Sequence, residues 1–207
     1  KVKLTFERFT SLVNTHLGGQ KITFEPLNFS GDVKVVSGMD FSIHADEKPN
    51  NWNAPRKEKV GDVFAILGET KIGKRYLCAT FRLEFDGAAP ANLPLIQDEL
   101  FAGTEFTLSL QQGKATSFRK LSVNYAGKVL GNAPDAWTKT FKVSKAVKIE
   151  KTDAPKDINE TADVVWNKGI ELAGKKTAYD SEIAAHKAFW ANVWDKLDIV
   201  IEGDDEN

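Results

Sequence analysis

The sequence predicts a mainly β chain, antiparallel sheets packed face to face and followed by two α-helices. From Lys1 to about Glu150, apolar residues recur at every second position in short runs broken by Gly, Asn and Pro, which is the pattern of strands with one buried face. These runs are too many for a seven-stranded sandwich and suit a larger one. After Lys151 the apolar spacing lengthens to three and four, the period of an amphipathic helix.

The strands follow in order. Val2, Leu4 and Phe6 alternate with Lys1, Lys3 and Thr5; Ile22 and Phe24 lead to Pro26; Val33 and Val35 lead to Gly38. The clearest strand is 75–85, with Leu77, Ala79, Phe81, Leu83 and Phe85 on one side and Tyr76, Thr80, Arg82 and Glu84 on the other. Phe106, Leu108 and Leu110 form a strand closed by the turn at 111–114, and Leu121, Val123 and Tyr125 form the next. Two more are expected at Phe141 and Val143 and at Val147 and Ile149. Residues 50–55, 86–94 and 131–135 read as loops from their Pro, Gly and Asn content.

Asp157 to Glu160 has the spacing of a capping box. It precedes a helical stripe of Ile158, Ala162, Val165, Trp166, Ile170 and Ala173, with Gly174 placed to end the helix. A second helix runs from about Asp180 to Leu197, capped by Asp180 or Ser181. Ile183, His186, Trp190, Val193 and Leu197 line one side, with Phe189 and Trp194 beside them. Ile199 and Ile201 then alternate with Val200 and Glu202 in a short outgoing strand that ends at Gly203. The expected division is a sandwich over 1–152 and a helical linker with its strand over 153–207. Burying a large apolar side chain is worth about 1.5–3 kcal/mol, so two tryptophans and a phenylalanine on one helix call for a partner surface. The chain stops a few residues past Gly203, and the expectation is that this partner is not wholly within it.

Composition excludes several classes. Net charge is −1 with both signs interspersed, so there is no electrostatic footprint for nucleic acid or an anionic membrane. No apolar run approaches a membrane span. Cys78 is the lone cysteine, which rules out an internal disulfide. The chain opens on Lys1 in mid-strand rather than on Met, so a segment is expected upstream and the compartment is not readable.

Candidate chemistry is sparse. Gly68 to Lys74 fits the first seven positions of a phosphate-binding loop, but Arg75 stands where Ser or Thr should hold magnesium, and the segment feeds a strand rather than a helix. It reads as a hairpin turn. His16, His44 and His186 lie far apart with no ligand at metal-binding spacing, so no metal or other cofactor is expected. Cys78 sits in a strand as a small core residue. No nucleophile elbow occurs, and no spacing selects a catalytic pair among the carboxylates. Trp52 and Trp137 fall in expected loops. They are candidates for a carbohydrate-stacking platform, or they fold back over a sheet edge or a neighbouring domain.

Two stretches carry a specific resemblance. Phe6-Glu-Arg-Phe-Thr-Ser-Leu12 is followed by Ile22-Thr-Phe-Glu-Pro-Leu-Asn-Phe-Ser-Gly31 and Val33-Lys-Val-Val-Ser-Gly-Met-Asp40. At the other end stand His186, Trp190, Trp194, Asp198, Ile199 and Glu202-Gly203-Asp204. The order resembles the N-terminal domain of glycoside hydrolase family 65, the family of maltose, trehalose and kojibiose phosphorylases and acid trehalases. The resemblance implies an antiparallel β-super-sandwich with two linker α-helices, further strands before the segment matching Lys1 to Phe6, and an (α/α)6 catalytic barrel beyond the chain's end. It implies inverting cleavage of an α-glucosidic bond by phosphate or water, with the general-acid glutamate and the phosphate site in the barrel. No catalytic residue is therefore expected here. Phe189, His186, Trp190 and Trp194 are expected to meet the barrel, and a homodimer contact or a carbohydrate contact through Trp52 and Trp137 would be additional roles.

Overall fold

The computed structural model describes residues 1–43, 50–128 and 159–197. His44, Trp137, the strands expected at 141–149, the loop at 131–135, the expected division near residue 152 and the outgoing strand after Leu197 lie outside the described residues.

Among the described residues nine strands run in order: β1 (Val2–Thr10), β2 (Leu17–Pro26), β3 (Gly31–Asp40), β4 (Trp52–Val60), β5 (Val63–Thr70), β6 (Tyr76–Phe85), β7 (Ile96–Gln97), β8 (Phe101–Leu110) and β9 (Thr116–Ala126). The described helices are α1 (Ala162–Ala173) and α2 (Tyr179–Leu197). Among the described residues, six strands form one sheet in the order β1-β2-β9-β6-β5-β4, and β3-β8-β7 form a second. Every pairing is antiparallel. The mainly β, sheet-on-sheet class read from the sequence is the architecture observed, and the helices add a third layer.

Alternation along β6 and β9 shows how the layers share the large sheet. Leu83, Phe85 and Phe118 meet Phe106, Leu108, Val33 and Val35 of the small sheet, and Ile66 and Ala79 meet Ala102 and Met39. On the other face, Ala65, Leu67, Cys78 and Tyr125 meet Val165 and Trp166 of α1. Leu17, Val63, Leu121 and Val123 meet Ala173 and Tyr179. Central strands are therefore covered on both faces, and Thr80, on the polar side of its strand, is fully buried with its hydroxyl donated to the Val123 carbonyl at 2.9 Å.

Lys120 reaches between the sheets. Its ammonium lies 4.7 Å from the Phe81 ring and donates to the Gly38 carbonyl. Burial pulls its pKa down to about 8.

Two local expectations change. Residues 50–55 are not all loop: β4 begins at Trp52, which pairs with Thr70, and a bulge between Asn53 and Arg56 absorbs Ala54 and Pro55. Its remainder, Arg56-Lys-Glu-Lys-Val60, lacks alternation because it is an edge strand, where charge guards against unwanted pairing. The cap of α1 is Thr161, whose hydroxyl accepts the Val164 N–H, so the box proposed at 157–160 does not open this helix. Glu160 instead accepts the Tyr125 hydroxyl and the Lys128 N–H, both at 2.9 Å. Gly68 to Lys74, by contrast, lies in the β5–β6 hairpin that the sequence predicts, with Gly73 and Lys74 at positive φ and the Thr70 N–H bonded to the Arg75 carbonyl.

Candidate functional site

The surface singled out by the sequence lies on α2, and α1 positions it. Helix α1 presses on β6 through a contact between two small residues. A Cβ built on Gly169 would stand 2.6 Å from the Cys78 Cβ and closer still to its Sγ, so only glycine allows the approach. That contact buries Cys78 completely and pushes its thiol pKa up to about 12, leaving it without nucleophilic character near neutral pH. Arg56 of β4 lies 4.1 Å from the centre of the Trp166 ring and pairs with Glu58 and Asp163, which fastens the helix to the sheet edge.

Helix α2 is held firmly at one end. Tyr179 is buried among Phe9, Gly19 and the Arg119 guanidinium. Its backbone N–H donates to a Glu84 carboxylate oxygen at 3.2 Å. Glu84, brought from β6, does the capping that the sequence assigned to Asp180 or Ser181. Both of those lie inside the helix, Asp180 paired with Arg119 at 3.5 Å and Ser181 bonded to the Ala178 carbonyl. The acidic first turn also suits the helix dipole. Arg119 joins Asp180 to Asp86 and stands above its ordinary pKa chiefly through its bond to Asp86.

An aromatic row continues from this anchor. Phe9 of β1 contacts Tyr179 edge-on at 5.5 Å and His186 at 5.4 Å. His186 meets Trp190 at 6.4 Å, Trp190 stacks on Trp194 at 5.7 Å, and Phe189 sits edge-on to Trp190 at 6.2 Å. The four expected residues His186, Phe189, Trp190 and Trp194 thus come together. Cover runs out along the row: His186 and Trp190 are half-buried, Trp194 is 56% exposed and Leu197 69%. Tyr179 is the one fully buried residue of α2. Exposure therefore rises along the helix from its buried first turn to its aromatic end.

Phe9, Glu84, Arg119 and Tyr179, which set the direction of α2, escaped the sequence reading. Three of them sit in strands far from the helix in sequence. The one legible signal was Phe9, an apolar residue out of phase with Val2, Leu4 and Phe6.

Trp52 lies elsewhere, on the edge strand opposite β1. Its ring stacks on Phe41 at 5.1 Å, and the two lie over Gly68, where a Cβ would approach Phe41 to 2.6 Å and Trp52 to 2.9 Å. One of its faces is therefore occupied from within. His16 bonds the Asn124 carbonyl through Nδ1 at 3.0 Å and packs on Tyr125. Among the described residues no group of three or more His, Cys, Asp and Glu is arranged to hold a metal. A cavity of about 430 Å³ is bordered by Asp40, Ser42, Asp98, Glu99, Leu100 and Phe101, none of which belongs to the α2 row.

Comparison with known proteins adds the following. The family described as glycosyl hydrolase family 65, N-terminal domain, matches residues 1–148. A kojibiose phosphorylase of Halothermothrix orenii is 27% identical over 217 residues, an alignment covering 98% of this chain and 24% of the relative. An alpha,alpha-trehalose phosphorylase of Geobacillus stearothermophilus is 39% identical over 67 residues, which are 32% of this chain and 8% of that protein. A solved structure assigned as a kojibiose phosphorylase from the human microbiome superposes with a TM-score of 0.69 at 13% identity, covering 93% of this chain and 21% of its own. The chain thus spans about a quarter of the length of the first of these relatives.

Proposed function

The chain belongs to the N-terminal domain family of glycosyl hydrolase family 65, and from that premise we propose that it is the non-catalytic sandwich and linker of a larger enzyme acting on α-glucosides. Its role in this reading is to brace an (α/α)6 catalytic barrel, which rests on the aromatic end of α2. The observation that carries the reading is the contrast along that helix. Its first turn is locked to the sheet by Tyr179, Glu84 and Arg119, while Trp194 and Leu197 remain open. A buried anchor followed by a half-buried and then an exposed tryptophan is what a docking surface requires, because large aromatics supply most of the energy of an interface core. The length of the relatives supports a partner within the same polypeptide.

No side chain described here forms a catalytic constellation, so in this reading bond cleavage belongs to the barrel. The test uses the rest of the parent polypeptide, produced separately from the reading frame beyond Asn207 and titrated with this chain by calorimetry. Trp190→Ala with Trp194→Ala is expected to cost at least about 2 kcal/mol of binding, near thirtyfold. Unchanged affinity would remove α2 from the interface. A reading frame that encodes no helical barrel would remove the proposal itself. A free-standing carbohydrate module is less well supported, since one face of Trp52 is taken by Phe41. Titration with α-linked disaccharides, followed by tryptophan fluorescence in wild type and Trp52→Ala, tests it.

A further inference from the structure

We infer that the cleft between the unpaired stretch of β8 and the β6–β7 connection binds one neutral sugar ring. The site shares no residue with the aromatic row of α2 or with the Trp52–Phe41 stack, and its test is independent of the family reading.

The sequence opens the cleft by withholding a partner from β8. Asp98 and Phe101 exchange both main-chain hydrogen bonds, so the odd-numbered residues of β8 turn their polar groups away from β3. β7 pairs only with Ala102 and Gly103. Continuing that register would set Pro94 opposite Glu105 and Pro90 opposite Ser109, and a proline has no N–H to donate. Among the described residues no main-chain hydrogen bond joins 86–94 to 104–110. The connection is nevertheless held beside the strand. Leu93 packs on the cluster that contains Phe106 and Phe118, and its carbonyl accepts the Lys59 ammonium at 2.6 Å. A space of about 360 Å³ lies between strand and connection, and both of its walls are described residues.

Its lining is that of a polyol site. Phe85 and Leu108 supply apolar surface, with Phe85 held edge-on to Phe106 at 5.1 Å. Beside them stand the Thr107, Ser109 and Thr116 hydroxyls and the outward N–H and C=O groups of Thr107 and Ser109. The Thr107 and Thr116 hydroxyls have no hydrogen-bond partner among the described residues. Asp86 accepts the Ser117 hydroxyl and the Arg119 guanidinium, which together hold its carboxyl below the usual carboxylate range. It is thus ionised and fixed in place, and each oxygen keeps a lone pair for a ligand hydroxyl.

Charge and size select the class of ligand. No Lys or Arg lines the cleft, so a phosphate or carboxylate finds no counter-ion there. Asp86 is already paired with Arg119, so an ammonium finds none either. Mixed donors and acceptors around an apolar floor suit a pyranose, whose hydroxyls act as both and whose C–H face is apolar. The volume is near the lower bound for small-molecule sites and holds one ring. With Asp86, Thr107 and Ser109 exposed to water, the expected dissociation constant is on the order of 1 mM.

The test is a nuclear magnetic resonance titration of the isotope-labelled 207-residue chain with the methyl α-pyranosides of glucose, galactose and mannose. At least one should shift the amides of Thr107, Ser109 and Thr116 saturably. Thr107→Val and Thr116→Val each remove one hydroxyl from an unburied position and should each weaken binding about fivefold, with the remaining amides reporting an intact fold. Trp52→Ala should leave the titration unchanged. Inorganic phosphate and lysine methyl ester should leave the three amides unmoved. The absence of a saturable shift with all three glycosides up to about 100 mM would overturn the inference. A shift that both valine variants leave unchanged, or that Trp52→Ala removes, would place the sugar elsewhere and overturn it as well. Tighter binding of the phosphate or the amine would overturn the assignment of a neutral ligand.

Discussion

The seat of α1 on the sheet depends on a single missing methyl group, and Gly169→Ala tests how much rests on it. The added Cβ would lie 2.6 Å from the Cβ of Cys78. Carbon atoms pack best near 3.5–4.0 Å, so helix and strand must separate by about 1 Å. Rotation of the thiol cannot relieve this, because the Cys78 Cβ is fixed to a strand paired on both sides, with Leu67 and Tyr125 as its register partners. Overpacking of this kind costs about 1–3 kcal/mol, while alanine gains about 1 kcal/mol over glycine within a helix. Because the helix must also loosen its buried Val165 and Trp166, the expected net loss is about 2 kcal/mol.

The signature is a change of sign in a double-mutant cycle. With Cys78→Gly the obstructing carbon is gone, and Gly169→Ala should become stabilising by about 1 kcal/mol. Cys78→Ala keeps the carbon and should relieve only part of the cost. Urea unfolding of the four cycle members and the alanine control, compared at constant m, reads these values. A stabilising Gly169→Ala in the wild-type background, or a coupling to Cys78→Gly below about 0.5 kcal/mol, would refute the packing argument.

Other outcomes follow from the same structure. Tyr179→Ala should destabilise the chain by at least about 3 kcal/mol, as for other buried aromatics, whereas Trp194→Ala should change it by less than about 0.5 kcal/mol; thermal unfolding separates the two. The Tyr179 hydroxyl is buried and has no hydrogen-bond partner among the described residues, so Tyr179→Phe should be neutral or slightly stabilising in the same assay. Lys120, held down to about 8 in the folded chain against 10.5 ordinarily, binds fewer protons folded than unfolded across that window. Stability should therefore rise between those pH values, by up to about 3 kcal/mol, and Lys120→Met should remove the rise. Cys78 acts in the opposite sense: its thiol pKa is raised from 9.0 to about 12, so it lowers stability as pH climbs through that range. Denaturant midpoints of Cys78→Ala and Lys120→Met against pH distinguish the two slopes. At neutral pH the Cys78 thiol should react with a disulfide reagent only after unfolding.

The sequence alone determined the periods. Alternation at Leu77 to Phe85 and at Phe106 to Leu110 placed central strands, and the three-and-four spacing through Trp166 and Trp190 placed both helices, because these patterns follow from one face of each element meeting the core. It also placed the aromatic residues of α2 on one side. What it could not show is what each side meets. Val2, Leu4 and Phe6 alternate as cleanly as any buried strand yet are exposed, since among the described residues the second sheet packs on β2 and not on β1. Thr80 and Cys78 stand on the less apolar side of their strand yet are fully buried, because two helices lie there. The charged β4 is a strand because β5 offers it hydrogen bonds, and α2 begins at Tyr179 because Glu84, distant in sequence, accepts its N–H. Local periodicity depends on a residue's neighbours along the chain. Burial, capping and edge exposure depend on which distant segments arrive, and only the tertiary structure decides that.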